Sequence, residues 1–284
     1  MYNTPILFNI FNRPEPTRKV LEAIRMQQPS RLYVHADGPR PEHLTDAQNV
    51  EACKAIISEL VDWPCDLHVL YEQENKGCGR GPADAITWFF ENEEQGIILE
   101  DDCLPHPDFF RFAEEMLERY KDDCRVTSIA GSNFQDGKAR GNASYYFSNH
   151  NRIWGWATWR RVWKQYDYYL SADTNASICT LIELRFSRKR DQQYWKRVLC
   201  NVLDNRMNDS CWDFQFMYLQ WKLDGLTLTT NINLISNIGD GPDADSFKKL
   251  AVKNKIEDIY RNALAEKNAE KLPFENKIVK LKLK

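Results

Sequence analysis

Four times in about the first hundred residues, a short apolar run gives way to an amphipathic stretch. Residues 5–11 (PILFNIF), 31–36 (RLYVHA) and 66–71 (DLHVLY), and the run ending Ile97-Ile98-Leu99, have strand length and β-forming residues. Pro14 and Pro16 open a helix that carries Val20, Leu21 and Ile24 on one face. A second helix over about 46–60 sets Val50, Cys53, Ile56, Ile57 and Leu60 at helical spacing, and a third runs from about 82 to 93. Buried strands alternating with amphipathic helices predict an α/β fold: a Rossmann-like, mostly parallel sheet flanked by helices. The strand ends at Phe11, Asp37, Tyr71 and Glu100 should then share one edge, where such sheets bind ligands.

The pattern changes after residue 125. Residues 126–130 (VTSIA) predict one more strand, followed by a Gly- and Asn-rich loop over 131–144 and an aromatic segment. Helices are expected near 176–186, 190–205 and 212–223, and a short strand near 226–230. A Gly/Asp-rich segment, 237–246, precedes a charged helix near 253–271, so a helical C-terminal extension is expected. The tail from Lys277 to Lys284 alternates Lys with Ile, Val or Leu, which leaves an edge strand, a membrane-surface contact and disorder open.

The fourth strand runs straight into Glu100-Asp101-Asp102. Adjacent carboxylates repel, so their burial needs a cation or basic group among them. Mg²⁺ or Mn²⁺ with oxygen ligands, shared with a phosphate, would satisfy that need. A solvated acidic turn is the plainer alternative.

Other segments carry weaker signals. Asn75, Lys76, Gly77 and Arg80 lie in a loop with three glycines at a helix entrance, which suits a phosphate, although tight-turn chemistry alone also accounts for it. Asp37, before Gly38-Pro39, could receive hydrogen bonds from a base or ribose, or simply make a turn. Trp156, Trp159 and Trp163 fit a helical core stripe, whereas Trp154-Gly155-Trp156 suggests a bend that sets a ring beside a sugar. Asp213 stands among aromatics at a helix start, as a first-turn carboxylate or as a general base; both readings stay open.

A net charge of −3 makes no electrostatic case for nucleic acid as a partner. The eight cysteines form no C-x-x-C pair, which argues against a structural zinc site and fits reduced thiols. With no signal-peptide pattern and no apolar run of membrane-spanning length, the expected location is cytoplasmic, with the inner face of the membrane as an option.

Taken together, FNRP (11–14), ADGPR (36–40), NKGCGRG (75–81), EDDCLPHPDFF (100–110), WGWATWRRVW (154–163) and NLISNIGDGPDADS (233–246) resemble the nucleotide-sugar glycosyltransferases of the GT-A fold. The likeness is to bacterial sugar transferases related to N-acetylglucosaminyltransferase I. It implies one GT-A domain over 1–250, with a nucleotide-sugar-binding half (1–125) and an acceptor-binding half (126–250), then a C-terminal helix and basic tail (251–284). It implies a metal-dependent, inverting transfer from a nucleoside diphosphate sugar, UDP-sugar favoured, to a hydroxyl of a glycan or glycolipid. In that resemblance Asp102 binds Mn²⁺ or Mg²⁺ directly. Glu100 and Asp101 help hold ribose, diphosphate or metal-bound water, Asp37 contacts the base, and Asp213 is the catalytic base. Phe11, Asn12, Arg13, Asn75, Lys76, Gly77, Arg80, Trp154, Gly155 and Trp156 complete the donor-binding set. The stretch Asp243-Ala244-Asp245-Ser246-Phe247 lacks a His that relatives often carry, so Asp243 or Asp245 would have to replace it. The alternatives are a sugar nucleotidyltransferase, which should show a Gly-rich, basic loop after the first strand, and a non-catalytic carbohydrate-binding protein.

Overall fold

The computed structural model describes residues 2–135, 142–205 and 210–239. The expected C-terminal helix and tail, with Asp243 and Asp245, lie outside the described residues.

The first hundred residues form the alternation that the pattern predicts. Strands β1 (Ile6–Ile10), β2 (Arg31–Ala36), β3 (Asp66–Tyr71) and β4 (Gln95–Glu100) alternate with helices α1 (Pro14–Arg25), α2 (Asp46–Leu60) and α3 (Gly77–Asn92). The short strand β5 (Cys103–Pro105) and helix α4 (Pro107–Arg119) follow, then β6 (Val126–Ala130), β7 (Tyr145–Ser148), β8 (Trp156–Trp159) and the single turn α5 (Arg160–Trp163). Helices α6 (Asn175–Arg185), α7 (Lys189–Leu203) and α8 (Asp213–Lys222) and strands β9 (Leu226–Thr230) and β10 (Ile235–Asn237) complete the described fold.

Eight strands form one sheet in the order β3-β2-β1-β4-β8-β6-β9-β7. The four N-terminal strands are mutually parallel, and β6 is parallel to β9. β8 runs antiparallel to both β4 and β6, and β7 is antiparallel to β9. The fold is thus a mixed, mostly parallel α/β sheet flanked by helices, with the ends of β1 to β4 on one edge as expected. Central β1 is buried along its whole length, as a parallel strand covered on both faces must be.

Right-handed crossovers put α1 and α2 on one face, and α3, which returns the chain from β3 to β4, on the other. The α3 face is marked by Tyr33, whose ring meets Trp88 and Phe89 edge-on at 5.2 and 5.0 Å. Laterally paired residues share a face. Tyr33 pairs with Leu7, and two residues further along Asn9 pairs with both His35 and Glu100, so these three side chains also face α3.

Helices α6, α7 and α8 bury a smaller core of their own around Ile178, Ile182, Leu199, Tyr218 and Trp221. Two expectations need correction. The helix expected from 82 begins at Gly77, so the glycines form its first turns rather than a loop before it. The tryptophan stripe is not helical: Trp156 and Trp159 lie on opposite faces of β8, and only Trp163 belongs to a helix.

Candidate functional site

The site starts from the three residues between β1 and α1. The Phe11 amide donates to Asp101 Oδ2 at 3.4 Å, and the Arg13 guanidinium pairs with Asp101 and reaches Asp102 Oδ2 at 3.1 Å. Asp101 is 3% exposed, so Arg13 supplies the basic group that its burial requires. Arg13 and Asp101 are therefore engaged with each other, and this pairing ties the end of β1 to the end of β4.

One guanidinium does not neutralise three carboxylates. Burial, and then the charges of Asp102 and Asp101, push the Glu100 carboxyl up to about 8. Burial also outweighs Arg13 at Asp101, which is pushed up to about 6. The cluster demands a proton or a further cation. Glu100, Asp102 and Cys103 each offer a ligand atom within 4.8 Å of the others, the group among the described residues that could hold a metal. The Cys103 thiol is buried, is pushed well up by that burial and donates to Asp102 Oδ1 at 3.3 Å, so the available donors are the two carboxylates. Hard oxygen donors of net negative charge fit Mg²⁺ or Mn²⁺.

The second half of the chain closes on this cluster. β10 pairs antiparallel with β5, and the Ile238 amide donates to the Asp102 carbonyl at 2.8 Å. A Cβ at Gly239 would lie 2.6 Å from Asp102 Oδ2 and 2.9 Å from Arg13, so a side chain there would displace the carboxylate and guanidinium ends of the pair. Gly155 makes the bend foreseen between the two tryptophans. Its φ is +57°, and a Cβ would lie 2.3 Å from Ile235 Cδ1, so the bend seats β10.

Asp213 is the first residue of α8, and its charge is the last of the influences that raise Glu100. Burial pushes the Asp213 carboxyl up, against two backbone N–H groups that lower it. Trp156 is wholly buried against Trp212 and Phe216, with centroids 5.7 and 4.9 Å away, so it is a core ring and offers no face to a ligand. Trp154 is half-buried and meets Phe134 edge-on at 5.0 Å.

Asp37 anchors the neighbouring loop. It accepts from the amides of Gly38 (2.9 Å), Lys76 (2.8 Å) and Gly77 (3.0 Å) and from Asn75 Nδ2 (3.1 Å). A carboxylate has about four acceptor positions, so the expected contact with a base gives way to a structural role. The same bonds take the Lys76 and Gly77 amides expected to face a phosphate. Lys76 and Arg80 share Asp84, at 3.1 and 2.8 Å, and Arg80 lies over the Tyr168 ring at 5.1 Å. Asn12 donates to Asp46 Oδ1 at 2.7 Å, Asp46 holds Arg40 at 2.6 Å, and Arg40 covers the Phe11 ring at 5.3 Å.

Sequence reasoning missed Asn9 and His35. Both are buried, 6% and 2% exposed, and no side-chain polar atom of either has a hydrogen-bond partner. The available signal was a polar residue in the middle of the apolar run ILFNI.

No protein-family model matches the sequence. No curated protein matches it. Among solved structures, the chain is similar to a cytidylyltransferase from Leptospira borgpetersenii at 12% identity and a TM-score of 0.35, over 59% of this chain and 64% of that one. It is similar to a UDP-glucose pyrophosphorylase complexed with UDP-glucose at 7% identity and a TM-score of 0.42, over 81% and 90%. A third is 4-diphosphocytidyl-2C-methyl-D-erythritol synthase from Anaerococcus prevotii, at 8% identity and a TM-score of 0.38, over 61% and 77%. The chain thus spans less than two thirds of the cytidylyltransferase. None of these three neighbours is named as an N-acetylglucosaminyltransferase. Among the described residues, no helix is long and apolar enough to cross a membrane.

Proposed function

We propose that this chain is a metal-dependent transferase that moves a sugar from a nucleoside diphosphate sugar to a hydroxyl of a glycan or glycolipid, with inversion. The observation that carries this reading is the arrangement of carboxylates. Glu100 and Asp102 converge at the end of β4, and the buried carboxylate of Asp213, from the second half of the chain, adds weakly to the charges that raise Glu100. A divalent ion held by Glu100 and Asp102 would supply charge neutralisation for the departing diphosphate.

The remaining chemistry belongs to the side chains. Asp213 is desolvated, which raises its basicity and suits it to accept a proton from an acceptor hydroxyl. As the bond from the anomeric carbon to the phosphate oxygen breaks, the acceptor oxygen bonds to that carbon and its proton passes to Asp213. One displacement inverts the centre. Arg13 holds Asp101, and so keeps the end of β4 in register beneath the donor.

Nucleotidyl transfer is the second reading, and it is the class named for the neighbours above. It calls for a glycine-rich loop after the first strand to wrap a triphosphate. Here that connection is Phe11-Asn12-Arg13, without glycine, and its Arg is held by Asp101 and Asp102.

The deciding experiment supplies Mn²⁺ with either a panel of nucleoside diphosphate sugars plus a panel of glycan and glycolipid acceptors, or nucleoside triphosphates plus a sugar 1-phosphate. Release of nucleoside diphosphate, lost in Asp102→Ala, supports sugar transfer. Release of pyrophosphate instead replaces it with nucleotidyl transfer. Product from neither points to a non-catalytic carbohydrate-binding protein.

A further inference from the structure

Asn9 and His35 stand side by side on adjacent strands, one residue from the ends of β1 and β2, on the face that also carries Glu100. Their four side-chain polar atoms, Asn9 Nδ2 and Oδ1 and His35 Nδ1 and Nε2, have no partner, although both residues are more than nine-tenths buried. Leaving a buried polar group unsatisfied costs about 1–3 kcal/mol, so a pair of them in the middle of a sheet calls for water or a ligand that completes them.

The chemistry of the pair restricts that ligand. An amide presents both donors and an acceptor, and a neutral imidazole presents one of each. Burial pushes His35 down to about 4, so it is neutral at ordinary pH. Neither group suits a phosphate, which prefers cations, or a hard metal ion, which prefers carboxylates. Two neutral groups with mixed donors and acceptors suit the polar edge of a neutral heterocycle. Position agrees: β2 lies two strands, roughly 9.5 Å, from β4. A diphosphate at the end of β4 would thus direct its nucleoside across β1 towards β2. Asp37, the residue first expected to meet the base, is taken up by its own loop.

We propose that Asn9 and His35 read the nucleobase of the donor and set the enzyme's choice among nucleoside diphosphates. This rests on the donor reading above and goes beyond it by naming the base-selecting side chains.

The test uses the full chain with Mn²⁺ and compares unfolding midpoints and Kd for UDP, CDP, dTDP, GDP, ADP and base-free pyrophosphate. Asn9→Leu keeps the shape of the side chain and removes its polar atoms. The expected result is an unliganded midpoint equal to or above wild type, because removing an unsatisfied buried amide relieves its cost. The preferred nucleotide should bind about tenfold more weakly, loss of a hydrogen bond being worth about a decade, while pyrophosphate binding is unchanged. His35→Gln, which retains a donor and an acceptor, should shift the order of preference without abolishing binding. An Asn9→Leu variant that keeps the wild-type preference overturns the inference, as does a wild type that binds all bases equally. An Asn9→Leu variant that fails to fold gives the pair a structural role and also overturns it. If neither nucleotide nor pyrophosphate binds wild type, the donor reading itself fails and the inference falls with it.

Discussion

Arg13 and Asp101, 88 positions apart in the chain, form an ion pair that joins the β1–α1 connection to the end of β4. Asp101 is almost completely buried and Arg13 about one-third exposed, so the pair has a dry side and a wet side.

Removing the guanidinium should leave a buried, unpaired carboxylate. Arg13→Met is expected to cost about 3 kcal/mol or more, and Mn²⁺ should raise the midpoint of the variant further than that of wild type. Thermal unfolding with and without Mn²⁺ measures both. An unchanged metal-free midpoint would show that the pair does not support the fold.

Asp213→Asn tests the base. The amide keeps the size of the carboxyl but cannot take a proton, so turnover should fall by about a hundredfold or more, while nucleoside diphosphate binding stays within about twofold. Full turnover in the variant removes Asp213 from the reaction.

Gly155→Ala should destabilise the fold by about 1–3 kcal/mol, because it combines a positive φ with a clash. The offending atom is Ile235 Cδ1, 2.3 Å from the new Cβ. Ile235→Ala deletes that atom together with Cγ1, which would lie 2.6 Å from the new Cβ. The double variant should therefore recover the packing part of the loss and keep the backbone part, and strictly additive losses would argue against the contact.

Asp37→Asn replaces a carboxylate that accepts from three backbone amides and Asn75 with a side chain that has one acceptor oxygen. Amide hydrogen exchange at Lys76 and Gly77 should accelerate, and stability should fall by about 1–3 kcal/mol. Unaltered protection at both amides would show that Asp37 does not hold the loop.

His35 gives a pH dependence of defined sign. Its folded value of about 4 lies below the ordinary 6.5 because burial disfavours the cation. Between these values the unfolded chain binds a proton that the folded chain does not. Stability should therefore fall as pH drops from about 6.5 towards 4, by about 3 kcal/mol in full. The difference between wild-type and His35→Gln unfolding, measured from pH 7 to pH 4, isolates this contribution. Parallel profiles would refute it.

Much of the layout was legible because burial and period are local. A strand buried on both faces has to be continuously apolar, so the runs before Phe11 and Glu100 announced themselves. Helix α2 was legible to the residue, from 46 to 60, because its apolar positions recur with the helical period. The WATW segment misled for the same reason. Trp156, Trp159 and Trp163 fit a helical spacing, yet the first two lie on a strand, since a short apolar run does not distinguish the two periods. The start of α3 was hidden because Gly77, Gly79 and Gly81 disfavour helix when alone. A Cβ at Gly81 would sit 3.3 Å from Asp37 Oδ2, and that close approach is a tertiary demand.

The sequence by itself determined the alternation of strands and helices, the shared edge of the first four strands, and the placement of three carboxylates where a buried strand ends. These follow from hydrophobic period and from the chemistry of adjacent charges, both of which act over a few residues. Only the tertiary structure decided which cation meets Asp101, which glycines admit β10, and that Asp37 serves its own loop. It alone showed Asn9 and His35 side by side and unsatisfied. Those facts depend on the register between strands 26 or more residues apart, and register is fixed by packing across the whole sheet.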